Sequence, residues 1–256
     1  MLEGFVLGII QGVTEWLPVS SEGVLTLVGM KFFDKDLSSS VSMAVFLHMG
    51  TFLAALVYFR KDVRALFGKE KEQRKVLKFL ILSTLVTGVV GVPLLFWGVN
   101  YFTEFSIGFL VGLIGLFLVI TGLVQFKKND GAFRRAGDLK TSDAFFLGGL
   151  QGMASLPGFS RSGLTIAGLL FRKFQDTEAL RLSFLMSLSA VLCANIFFKL
   201  AGSGVNFGII SITALATAAI TAFFMIHLLL KISRKINFGW FAISFGCLIV
   251  LGALLV

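Results

Sequence analysis

Apolar residues in this chain gather into long runs separated by short polar clusters. Six runs, at about 41–59, 79–98, 105–126, 179–200, 207–230 and 238–256, approach the roughly 20 residues that a helix needs to cross about 30 Å of hydrocarbon. Each is predicted to be a membrane-spanning α-helix. Two further apolar segments, 2–33 and 144–171, are interrupted: each breaks at a Pro followed by Ser and Gly, then resumes as a short apolar run. Neither half of either segment is long enough to span. Non-helical backbone at membrane depth survives only when buried in protein or facing a wet cavity, so both segments are predicted to be re-entrant helical hairpins.

The two interrupted segments also resemble each other. Leu7-Gly8-Ile9-Ile10-Gln11-Gly12 matches Leu147-Gly148-Gly149-Leu150-Gln151-Gly152 at an offset of 140. Leu17-Pro18 with Ser21 matches Leu156-Pro157 with Ser160 after a one-residue deletion. Each hairpin precedes three spans. The expected fold is therefore an all-α polytopic membrane protein, an inverted-topology repeat of three transmembrane helices plus one re-entrant hairpin per half. Its expected units are residues 1–126, a cytoplasmic linker at 127–143, and residues 144–256. An odd number of spans per half inverts the second half. It also places loops 60–78, 127–143, 172–178 and 231–237 on one side, and these hold 18 of the 23 Lys and Arg. The excess of basic residues in cytoplasmic loops assigns that side to the cytoplasm, so both termini are expected outside a cell (plasma or inner) membrane.

Composition agrees with lipid as the solvent. The chain is 56% hydrophobic and 14% charged, against about 25% charged in soluble domains, and its mean hydropathy is +0.91. A net charge of +9 would suggest nucleic acid in a soluble protein. Here it follows from the basic loops, and no nucleic-acid partner is expected. Cys193 and Cys247 lie in apolar stretches without metal-ligand spacing and are read as small buried hydrophobes. The first apolar run lacks a basic leader and ends in polar residues at Pro18, so it is not read as a removable signal peptide.

Ionisable groups inside a membrane are costly and point to function. They are few here: Glu15 and Glu22 in the first hairpin, Arg161 in the second, and His48, Arg181, Lys199 and His227 in the spans. Lys199 and His227 lie near span ends and are read as structural. Arg161 sits in Pro157-Gly158-Phe159-Ser160-Arg161-Ser162-Gly163-Leu164-Thr165, where a turn opens a new helix. Gly158 lets the backbone approach a ligand, the helix N-terminus attracts anions, Ser160, Ser162 and Thr165 add hydroxyl donors, and the guanidinium fork suits phosphate oxygens. The competing reading is an ordinary cap with Arg161 paired to Glu15. Gln11 and Glu15 share a helix face. Glu15 is suited either to holding a divalent cation or to acting as a general base. Ser21 either attacks phosphorus or caps a helix, with capping the favoured reading.

At these residues the chain resembles the undecaprenyl-diphosphate phosphatase family associated with bacitracin resistance. The resemblance rests on Gln11-x-x-x-Glu15, Leu17-Pro18-Val19-Ser20-Ser21, His48-Met49-Gly50-Thr51, Pro157-Gly158-Phe159-Ser160-Arg161-Ser162-Gly163 and Arg181-Leu182-Ser183-Phe184, and it covers essentially the whole chain. It implies removal of the terminal phosphate from a polyprenyl diphosphate, with Glu15, Ser21 and Arg161 catalytic. Gln11, Ser20, Gln151, Gly158, Ser160, Ser162 and Thr165 are the expected substrate-binding residues, with a divalent cation, Mg²⁺ or Ca²⁺, at Glu15. The expected partners are the lipid substrate and membrane lipids, and a homodimer is allowed. The family motif continues LPVSS-T-G-H, whereas this chain reads Glu22-Gly23-Val24. That removes a proton shuttle, for which Glu22 or His48 is the auxiliary candidate. The rival functions are a polyprenyl-phosphate transporter and a relative that binds the lipid phosphate without hydrolysing it.

Overall fold

The computed structural model describes residues 1–17, 20–101, 133–155, 159–200, 208–233 and 238–253, with isolated positions between 109 and 123. Among these the chain is helical and no strand forms. In order the helices are α1 (Leu2–Thr14), α2 (Ser21–Phe32), α3 (Leu37–Tyr58), α4 (Arg60–Leu66) and α5 (Lys71–Tyr101). There follow a 3₁₀ turn at Ala136–Asp138, then α6 (Thr141–Met153), α7 (Arg161–Phe171), α8 (Asp176–Leu200), α9 (Ile209–Ser233) and α10 (Phe238–Ala253). Four of them, α3, α5, α8 and α9, are long and apolar enough to cross a membrane. Their outward faces carry large apolar side chains such as Ile81, Leu85 and Val89 on α5 and Ile212, Ile220 and Phe224 on α9. A polytopic membrane protein accounts for both observations.

The two interrupted segments are helix–turn–helix hairpins, α1–α2 and α6–α7. The expected span 105–126 lies almost wholly outside the described residues, and α10 covers 16 residues of the last one. Two expectations need correction. Residues 60–78 are not a plain loop: α4 forms there, and α5 begins at Lys71, because Lys, Arg, Glu and Gln propagate a helix well beyond the apolar run. The helix also continues through Pro93, as membrane helices often do. Cys193 and Cys247 are exposed on the outer surface rather than buried, since apolar residues of a membrane protein face outward as well as inward.

Small residues decide how the hairpins dock. In α1, Gly4, Gly8 and Gly12 face α9 so closely that a Cβ on Gly8 would lie 2.5 Å from the Ala214 carbonyl, and one on Gly12 would lie 2.6 Å from Thr221 Cβ. In α6, Gly148 and Gly152 meet α5 in the same way, at 2.6 Å from the Ser83 carbonyl and 2.7 Å from Val90 Cβ. The contacts advance together along both chains, so each pair runs parallel. Gly115 and Gly246 approach each other reciprocally, so that a Cβ on either would lie 2.7 Å from the other's carbonyl oxygen. Such small-residue seams let helix backbones pack where lipid offers no hydrophobic drive. Between the hairpins lies the main core, in which Trp16 meets Phe184 edge-on with centroids 4.7 Å apart, beside Ala55, Phe59 and Ile226.

At the basic end of the second hairpin, Arg134 and Arg172 clasp the fully buried Asp143, at 2.5 and 2.7 Å, and the Lys140 backbone N–H donates to the same carboxylate. Arg134 also pairs its backbone with Lys173 and Gln175. The start of α6 and the end of α7 are thereby tied together. Arg181 pairs with Asp62 of α4 and with Glu178, and His227 shares a hydrogen bond with the Tyr58 hydroxyl at 3.1 Å.

Candidate active site

Each hairpin restarts its second helix in the same way. Ser20 and Ser160 have extended backbone, and their Oγ atoms accept the N–H of Gly23 and Gly163, three residues on, at 3.2 and 3.1 Å. The caps therefore correspond at the constant offset of 140, and no deletion separates them. This corrects the expectation for Ser21. Ser20 does the capping, and Ser21 is left as the first helical residue with its hydroxyl free for another partner. Its counterpart in the second hairpin is Arg161.

Both of these first-turn residues reach Glu15, which ends α1 and is 4% exposed. Ser21 Oγ donates to Glu15 Oε2 at 2.8 Å, and Arg161 Nη2 donates to Oε1 at 2.6 Å. Gln11, one turn back on α1 and fully buried, donates to Oε2 at 3.1 Å. His48, from the middle of α3, places Nε2 3.1 Å from the same oxygen. One buried carboxylate thus gathers a hydroxyl, an amide, an imidazole and a guanidinium from four helices. The Glu15–Arg161 pairing anticipated as a competing reading is present.

The other expected residues play supporting parts. Ser162 and Ser160 donate to the Leu17 carbonyl at 2.7 and 3.4 Å, fastening the second hairpin to the turn of the first. Thr165 donates to the Arg161 carbonyl at 2.8 Å and meets Ser183 Oγ at 2.7 Å, bracing the helix beneath the guanidinium. Gln151 is not brought to Glu15; it donates to Thr87 of α5 at 3.1 Å. Glu22 is exposed on the first turn of α2 and makes no hydrogen bond within the described residues. Gly158 lies outside them. Val24 is half-buried on α2 and carries no proton. Sequence reasoning did not single out Ser183, whose carbonyl lies 3.5 Å from Arg161 Nη1, or Trp16, whose ring lies 5.8 Å from the guanidinium. The only signal for Ser183 was its place in the Arg181–Phe184 stretch.

For a divalent cation at Glu15 the donor set is lean. Glu15 supplies the carboxylate and Gln11 Oε1 is a buried oxygen without a partner, but the carboxylate already serves four donors, one of them a guanidinium. Among the described residues no three acidic, His or Cys side chains cluster as metal ligands. The described residues as placed do not by themselves complete a cation site.

The sequence profile of bacitracin resistance protein BacA matches residues 4–254. The chain belongs to the BacA family. A BacA-family relative from Methanococcoides burtonii is 42% identical, with 97% of each chain covered. Relatives from Methanothrix thermoacetophila and Haloarcula marismortui are 38% and 35% identical, covering 96% and 100% of this chain and 94% and 98% of their own. All three carry the name undecaprenyl-diphosphatase. Glu15, Ser21 and Arg161, singled out in the sequence, meet in the structure, together with Gln11 and His48.

Proposed function

We propose that this BacA-family protein is a membrane phosphatase that removes the terminal phosphate of a polyprenyl diphosphate such as undecaprenyl diphosphate, leaving the monophosphate lipid carrier. The observation that carries this reading is the convergence of Ser21 and Arg161, equivalent residues of two hairpins, on one buried carboxylate. A nucleophile and a phosphate-binding fork each lie within hydrogen-bond reach of the base between them, an arrangement suited to phosphoryl transfer.

In this mechanism the terminal phosphate takes Arg161 from Glu15, which frees the carboxylate to act as base. Ser21 Oγ bonds to the terminal phosphorus as its proton passes to Glu15 Oε2. The bond from that phosphorus to the bridging oxygen breaks, and its electron pair leaves on the polyprenyl monophosphate. Glu15 passes that proton to the departing monophosphate; water then attacks the phosphoserine, its proton passing to the freed Glu15, which returns it to the Ser21 oxygen as inorganic phosphate departs. Arg161 and the first-turn N–H groups of α2 and α7 stabilise the equatorial oxygens.

Purified protein in detergent, given C55 diphosphate with and without Mg²⁺, should release phosphate. Glu15→Gln should lower turnover by roughly 10²–10⁴-fold, the range of general-base contributions. Lipid binding without phosphate release would sink this reading in favour of transport.

The same proposal places residues 1–126 and 144–256 as two halves, each hairpin held by the second long helix of the other half. The matched caps and the reciprocal glycine seams support it. The basic loops lie in the cytoplasm and both termini outside. A Cys placed within 60–78 should resist an impermeant reagent in intact cells, and labelling there would overturn the orientation.

A further inference from the structure

The charge on His48 follows from what its two nitrogens face. Nδ1 lies 2.8 Å from the Ala44 carbonyl oxygen, one turn back on α3, and Nε2 lies 3.1 Å from Glu15 Oε2. A backbone carbonyl only accepts. Glu15 is in the same position, since Oε2 already accepts from Gln11 and Oε1 faces the Arg161 guanidinium. A neutral imidazole has one donor and one acceptor nitrogen, so it would turn a lone pair toward one of these two oxygens. Only the doubly protonated ring satisfies both.

We propose that His48 is a cationic positioning residue, an imidazolium that anchors Glu15 from α3 and adds a positive charge to the buried cluster that meets the lipid diphosphate. The cluster then holds two cations, Arg161 and His48, beside Glu15, with the Glu22 carboxylate of α2 also close enough to act on His48. When the terminal phosphate draws Arg161 away, His48 keeps Glu15 charge-compensated and aimed at Ser21. The side chain is 18% exposed, less enclosed than Glu15. This role rests on the phosphatase reading for its catalytic consequence, but the charge state itself does not.

The chain has two histidines, which makes the test direct. The full-length protein in detergent micelles, labelled with ¹⁵N-histidine, should give one ring with both nitrogens at protonated positions at pH 7.5. His227→Gln assigns that ring to His48. A neutral tautomer pattern at His48 would overturn the proposal. His48→Gln retains a donor for Glu15 without the charge. It should lower kcat/KM for C55 diphosphate by at least about tenfold, with the thermal midpoint held near wild type. A value within twofold of wild type would show that hydrogen bonding suffices, and the charge role would fail. If the wild type binds the lipid without releasing phosphate, the phosphatase reading falls. Binding of C55 diphosphate then decides for His48: a tenfold weakening in His48→Gln supports the charge, and unchanged binding refutes it.

Discussion

Arg161→Lys should abolish most turnover while leaving the protein folded. The guanidinium spans two partners, donating to Glu15 at 2.6 Å and lying 3.5 Å from the Ser183 carbonyl, with Trp16 beneath it. Lysine keeps the charge but offers a single point in place of a planar fork. It therefore cannot hold two phosphate oxygens in the orientation that the Arg161 position imposes. Losing one well-placed donor to transition-state charge typically costs about 10²–10³ in rate, and an effect of that order is expected in phosphate release from C55 diphosphate. The melting midpoint in detergent should move little, because Lys still neutralises Glu15. Near-normal turnover would mean that charge alone is required.

The largest effect on stability should come from Asp143→Asn. Asp143 is fully buried, and two arginines on separate segments spend their hydrogen bonds on it. Burial alone would push its carboxyl upward. Hydrogen bonds from Arg134, the Lys140 backbone N–H and Arg172 outweigh this and hold it below the ordinary carboxylate range. A carboxyl depressed in the folded state stabilises the fold above its unfolded value, and that contribution is lost as pH falls through the folded value. Removing the charge leaves two guanidinium groups facing a neutral amide, and breaking a buried pair in this way costs about 3–5 kcal/mol. For a chain of this size that corresponds to a fall of roughly 6–20 °C in melting midpoint at neutral pH. The deficit should narrow as the medium is acidified below the ordinary carboxylate range, where the wild type loses the same contribution. A melting midpoint unchanged at neutral pH would show that the clasp is not structural.

Much of the architecture was legible because membranes make sequence patterns coarse. Apolar length gave α3, α8 and α9, and the breaks at Pro18 and Pro157 gave two hairpins. Glu15 and Arg161 stood out because a charge in an apolar run needs a reason. Finer features were hidden for identifiable causes. Ser20 and Ser21 are adjacent and equally able to cap, so only the observed backbone separates the cap from the free hydroxyl. His48 lies 33 residues from Glu15 on a different helix, and no spacing rule connects them. Arg134 and Arg172 counted toward topology as members of basic loops, although both are committed to Asp143. The start of α5 was obscured because its first turns are charged, and hydropathy cannot see a helix outside the lipid.

The docking of α1 against α9 has a consequence for biogenesis. Residues 2–14 emerge first, yet the helix that receives their glycine face begins at residue 209. At about 5–20 residues per second, synthesis separates the two by roughly 10–40 s. The second hairpin has no such wait, because its partner α5 has already been made when α6 appears. Over that interval the nascent first hairpin carries Glu15 without Arg161, which emerges 146 residues later. A fragment ending at residue 126 therefore holds the catalytic cluster without its guanidinium and has no seat for its own first helix. The carboxylate at its heart is completed only by the second half of the chain.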